Sequence, residues 1–330
     1  MFQMKVRKYL CATVLAFLCC GGALKAQEEI VYDQYYFNYY LVNPAVAGAE
    51  RCSHLMLTGK FQWVGLENAP MTQTLSFRTR ILSNVGLGGY VYNDRNGNSY
   101  RQGGQLTFAY HIPLSESSGY FMKERSVERQ LSFGVSAKVN HFSFAKSLFS
   151  DPENQDDPTI YNGNPNKGFY FNTNFGAYFL WDNFFLGASA TNLIPSKMIE
   201  MGKDEPSPPL TAFAFTGYDI EMGNTMTLEP SVMFKANEWE NMQLDLNMKF
   251  MQTLPDNENF SYWLQVSYRQ GLDSKNTQPL ALSPMGGVRF KGFHLAYAYT
   301  LGLTGFNRHN SGTHEVMLGY TWCITKHFCR

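Results

Sequence analysis

The residues of this chain whose types and spacing could do chemistry are few, and most fail a geometric requirement. His314-Glu315 invites a zinc-hydrolase reading. That chemistry needs a second histidine four positions on, and position 318 is Leu318. In a strand His314 and Glu315 would also face opposite sides and could not share an ion. Gly134-Val135-Ser136 and Gly187-Ala188-Ser189 lack the closing glycine of a nucleophile elbow. A hydrolase acting on lipid would need a Ser/His pair at the lipid boundary, and none stands out. The acidic cluster Asp151, Glu153, Asp156 and Asp157 lacks EF-hand spacing and reads as a solvated loop. Asp94-Arg95-Asn96-Gly97-Asn98 reads as a hairpin loop through its Asn-Gly. No catalytic residue, cofactor or metal site is assigned, and the chain is not expected to be an enzyme.

The elements that would position these residues are strands. Met242, Leu244, Leu246, Met248 and Phe250 fall on one face, while Gln243, Asp245, Asn247 and Lys249 fall on the other. Stretches of this kind recur from residues 54–63 to 313–324. Among them are 85–93, 225–234, 260–269 and 280–290. The predicted class is all-β: a transmembrane outer-membrane barrel of about 14 antiparallel strands, apolar toward lipid and polar toward the lumen. By parity Arg78, Arg80, Asp245 and Lys249 point inward. Charges of both signs inside one barrel favour pairing and filling over an open pore.

The start of the chain separates a membrane barrel from a soluble sandwich. Lys5, Arg7 and Lys8 precede an apolar run over residues 10–24, and Ala26 before Gln27 suits signal-peptide cleavage. A lipoprotein start at Cys19 or Cys20 fits less well, because no small residue precedes them. The expected division is a signal peptide over 1–26, a periplasmic N-terminal segment over 27–51 and a barrel over 52–330. Beyond residue 27 no run approaches the ~20 apolar residues of a spanning helix. Loss of Lys5, Arg7, Lys8 and Lys25 lowers the 27 basic residues to 23 against 27 acidic ones. A mildly acidic chain argues against a nucleic-acid partner.

Between signal and barrel, Asn43-Pro44-Ala45-Val46-Ala47-Gly48 has the grammar of one helical turn: an N-cap, a proline at the first position, a glycine at the exit. This stretch is expected between the cleavage site and the barrel, on the periplasmic side. The aromatic residues 35–40 before it could occupy the lumen or lie along the periplasmic rim. Loop lengths favour a periplasmic N-terminus, with short turns at Asp182-Asn183 and Lys291-Gly292 and long external loops elsewhere. Residues 113–129 break the pattern and could meet a periplasmic partner. Cys52, Cys323 and Cys329 remain after processing, too few for a disulfide scaffold or a zinc knuckle. In a closed barrel the first and last strands are neighbours, so Cys52–Cys323 and Cys52–Cys329 are candidate bridges and unpaired thiols the alternative.

Three blocks together resemble the PorP/SprF family of type IX secretion proteins from Bacteroidetes. The first is Asp33, Gln34, Tyr35, Phe37 and Asn38 through Asn43-Pro44-Ala45-Val46-Ala47-Gly48. The second is Trp63-Val64-Gly65 with Ala69-Pro70-Met71-Thr72, and the third is Gly312-Thr313-His314-Glu315-Val316-Met317-Leu318. The blocks keep their order along the chain, with Thr313 where the family usually has serine. The resemblance implies a non-enzymatic outer-membrane component or adaptor of the type IX secretion system. It would support secretion or surface attachment of cargo with C-terminal sorting domains, including gliding adhesins in some species. Its implied partners are the periplasmic ring, a peptidoglycan-binding lipoprotein, the cargo's C-terminal domain and outer-membrane lipid. Gln34, Tyr35, Asn38, Asn43, Pro44, Ala45, Gly48, Trp63, Gly65, Pro70, His314 and Glu315 are the candidate docking residues. A passive diffusion channel for small solutes is the alternative function.

Overall fold

A computed structural model describes residues 35, 38–114, 129–144, 167–194, 208–238, 241–255, 257–273, 276–305 and 310–323. In chain order the strands are β1 (Cys52–Phe61), β2 (Met71–Leu82), β3 (Val85–Asn96), β4 (Ser99–Pro113), β5 (Arg129–Phe144), β6 (Lys167–Trp181), β7 (Phe184–Thr191), β8 (Thr211–Tyr218) and β9 (Ile220–Met222). They continue as β10 (Met226–Asn237), β11 (Met242–Leu254), β12 (Asn257–Asp273), β13 (Asn276–Phe290), β14 (Phe293–Gly302) and β15 (Thr313–Cys323).

Consecutive strands pair antiparallel, except that β8 and β9 both pair with β10, and β15 pairs with β1, which closes the wall. The three-residue β9 continues β8 along the same edge of β10, so the barrel has fourteen staves. Alternation accounts for both surfaces. On β2, Thr72, Thr74, Ser76 and Arg78 are buried while Leu75 and Phe77 are exposed. Leu106, Val135, Phe171, Leu264 and Leu318 likewise face outward. An exterior so apolar is stable against acyl chains and not against water. Among the described residues no helix is long and apolar enough to cross a membrane.

The strands overrun several sequence-derived boundaries. The expected 260–269 strand runs over Asn257–Asp273, and the expected 85–93 strand reaches Asn96. The added residues are largely polar: ladder hydrogen bonds continue past the apolar band, where composition no longer marks a strand. Asp94, Arg95 and Asn96 are accordingly strand, and the hairpin turn is only Gly97-Asn98, with Gly97 at φ 60°. At the opposite end Lys291 and Gly292 both have positive φ, as a two-residue type I′ turn requires.

Candidate functional site

The interior carries the distinctive feature of this barrel, because Tyr35 and residues 38–49 of the N-terminal segment lie inside it. Tyr40, Asn43, Ala45 and Ala47 are all 0% exposed against the inner wall, which places the stretch in the lumen and not along the rim. Two short 3-10 turns, Tyr39–Leu41 and Pro44–Val46, fold it. The Asn43 side chain accepts from the Ala45 amide at 2.9 Å with Pro44 at the first helical position, so the expected single turn is present. Gly48 ends it at φ 71°; a Cβ there would stand 2.7 Å from the Gly86 Cα.

A trench of small side chains receives this segment. Gly86 pairs with Ala109, Ala109 with Gly134, Gly134 with Gly176 and Gly176 with Ser189, so one row crosses five adjacent strands, β3 to β7. A Cβ on Gly86, Gly134 or Gly176 would collide with Ala47, with the Pro44-Ala45 peptide or with Asn43 respectively. Side chains of the wall take the segment's carbonyls. Ser189 Oγ donates to Val42 O at 2.6 Å, His111 Nε2 to Ala47 O at 3.0 Å and Gln130 Nε2 to Ala49 O at 2.9 Å. Asn43 Nδ2 donates to Ala177 O at 2.9 Å and Ala188 O at 3.3 Å. These contacts satisfy backbone groups that would otherwise be buried without partners.

Aromatic residues fix the N-terminal half. Tyr39 stacks on Phe215 at 4.2 Å between centroids, and Asn38 Nδ2 donates to Ser76 Oγ at 3.0 Å. Tyr40 OH is 2.9 Å from Thr107 Oγ1, and burial pushes its phenol up to about 12, which keeps the proton in place. Tyr35 OH donates to Asp245 Oδ2 at 2.9 Å; burial and then the Asp245 charge raise this phenol well above its ordinary range.

Several inward charges pair with one another. Arg269 forks onto Asp245 with two contacts of 3.1 Å, and Lys249 meets Glu229 at 2.7 Å. Lys60 stands 3.6 Å from Glu315, Arg78 lies 3.5 Å from Glu50, and Arg80 donates to Gln130 at 2.7 Å. All four inward charges read from parity therefore lie in this lumenal network.

The three sequence blocks fall in two places. The first lies in the lumen, where Tyr35, Asn38, Asn43, Pro44, Ala45 and Gly48 are buried. Gln34 lies outside the described residues. The other two blocks meet at the long-loop end of β1 and β15. Trp63-Val64-Gly65 lies in the loop beyond Phe61 and not at the end of the strand, with Trp63 at φ 51° and Gly65 at φ 101°. Val64 N donates to Gly312 O at 3.0 Å and Ser311 N to Val64 O at 2.7 Å. Pro70 is buried beside them, and its carbonyl accepts from Gln62 N at 2.9 Å. His314 and Glu315 do face opposite sides: His314 lies against Tyr297 at 2.6 Å, and Glu315 is buried toward Lys60. No group of metal-ligating side chains occurs among the described residues. The acidic cluster 151–157 and most of the 113–129 excursion lie outside them.

Cys52 and Cys323 face each other across the β1–β15 seam, with Cα atoms 4.1 Å apart, and their sulfurs are bonded. Cys329 lies outside the described residues. Sequence reasoning missed His111, Gln130, Ser189 and the trench glycines. The signal for the trench was a small residue at inward parity on successive strands, readable only once the register between strands is known.

A closed antiparallel wall, an apolar outer face and a polar, internally paired lumen define a transmembrane β-barrel of the outer-membrane type. A family model described as "Type IX secretion system membrane protein PorP/SprF" matches residues 24–320, and the chain belongs to that family. It is thus an outer-membrane barrel component of the type IX secretion system. No curated protein matches it. Among solved structures, the CymD monoaromatic hydrocarbon channel is similar at 11% identity over 92% of this chain and 96% of that one, with a TM-score of 0.51. The TodX deltaS2S3 mutant monoaromatic hydrocarbon channel is similar at 12% identity over 87% and 94%, with a TM-score of 0.47. BamA from Haemophilus ducreyi lacking POTRA domains 1–3 is similar at 7% identity over 82% and 70%, with a TM-score of 0.43. At such identities the likeness concerns the barrel fold alone.

Proposed function

We propose that this barrel is a non-enzymatic adaptor of the type IX secretion system, with its short-turn end toward the periplasm and its long-loop end toward the cell surface. The turn end, including the 113–129 excursion, docks the periplasmic ring and a peptidoglycan-binding lipoprotein. The loop end supports secretion or surface attachment of cargo carrying C-terminal sorting domains. The observation that carries this reading is the occupied lumen: a barrel filled by its own N-terminal segment and by paired charges suits a scaffold better than a pore. A diffusion channel is the second reading, favoured by the fold it shares with CymD, which is described as a hydrocarbon channel.

The test is deletion of the gene, followed by mass spectrometry of secreted and surface proteins and of material co-purifying with the tagged barrel from native membranes. The adaptor reading expects loss of sorting-domain cargo and co-purification of ring and lipoprotein. Unchanged secretion, with only bulk porins recovered, would remove it.

A further inference from the structure

The wall is complete without the segment inside it. Every stave pairs on both sides around the closed circuit, and the described residues of 38–49 fold as the 3-10 turns Tyr39–Leu41 and Pro44–Val46 and contribute no strand to it. The segment is therefore held as a ligand is held. Wall side chains take the carbonyls of Val42, Ala47 and Ala49, the Asn43 carboxamide reaches two wall carbonyls, and the trench glycines admit the peptide at backbone distance. Asn-Pro at its head and the small residues Ala45, Ala47 and Gly48 are what this shape selects: any Cβ-bearing residue at 48 would meet the Gly86 Cα.

We propose that the row Gly86, Ala109, Gly134, Gly176 and Ser189 is a peptide-binding site, and that residues 42–49 are its resident, exchangeable ligand. The ligand class is a peptide with Asn-Pro followed by small residues, recognised through its main chain and one carboxamide. Displacement by a competing segment of that pattern leaves the wall closed and seats the competitor in the trench. This inference does not depend on the secretion role and stands or falls on binding alone.

The experiment uses the full mature chain, refolded in detergent, with a specific protease site inserted at the exposed Arg51 and a fluorophore at the N-terminus. After cleavage the wall stays folded, as judged by heat-modifiable gel mobility, and the labelled segment stays bound through gel filtration. Excess synthetic peptide spanning residues 35–50 chases the label. The same peptide with Asn43→Ala is expected to compete about ten-fold less well, the effect of losing roughly one to two net hydrogen bonds. A Gly176→Val chain, cleaved in the same way, is expected to release its label without any peptide while keeping a folded wall. Loss of label from the unsubstituted chain on cleavage alone, no chase at saturating peptide, equal competition by both peptides, or unfolding on cleavage would each overturn the proposal.

Discussion

The side chain of Asn43 occupies the space that a side chain at Gly176 would need. One residue belongs to the segment inside the barrel and the other to the wall, 133 positions along by their numbers. The fit explains why the wall has glycine in the middle of a long strand, where glycine otherwise costs stability.

Valine at position 176 or 134 should expel the N-terminal segment from the trench. Overpacking of this kind costs about 1–3 kcal/mol. The measurement is the urea midpoint of unfolding in detergent together with protease sensitivity of residues 35–49. Valine at the lipid-facing Gly104, whose Cβ has contacts of 3.4 Å and longer, should leave both unchanged.

Tyr35→Phe removes a hydrogen bond to a carboxylate that is already held by Arg269. Hydrogen bonds to charged groups contribute about 1.5–3 kcal/mol. The expected outcome is earlier release of the aromatic half of the segment in urea, followed by quenching of a probe near Tyr39. Asp245→Asn should cost more, because it takes from Arg269 the carboxylate that its guanidinium forks onto in a largely buried site.

Much of this architecture was legible in the sequence. Alternation gave the fold class, the parity of Arg78 and Asp245 and the number of staves, because lipid enforces it residue by residue. It failed at strand ends such as Asn257 and Asp273, where hydrogen bonding outlasts the apolar band. The turn at Asn43-Pro44 was readable from local capping chemistry, but its location was not. That depends on Gly86, Gly134 and Gly176 aligning across strands, which is a property of register and not of any one stretch. The seam partner of Cys52 was narrowed to two cysteines by closure, and pairing of Cys52 with Cys323 follows from the β1–β15 register.

Non-reducing peptide mapping should recover the Cys52 peptide linked to the Cys323 peptide. Cys52→Ser is expected to lower stability by roughly 2–5 kcal/mol, since the bridge closes a very long loop. The check is the urea midpoint with and without reductant, which should shift for the unsubstituted chain and stay fixed for the variant. A Cys52 peptide linked to Cys329 would contradict the register.

Leu246→Arg places a cation on the outer face of β11, whereas Asn247→Ala changes the adjacent lumenal position. A midplane arginine on a barrel's lipid face costs about 2–4 kcal/mol. Folding yields into lipid vesicles should therefore fall sharply for the first and change little for the second. Similar yields would mean that Leu246 does not meet acyl chains.

Single-channel recording of the purified, full-length mature protein in planar bilayers tests the occupied lumen most directly. The account predicts insertion without a steady open state, and discrete openings in the Gly176→Val variant. A large, stable conductance from the unsubstituted protein would contradict it.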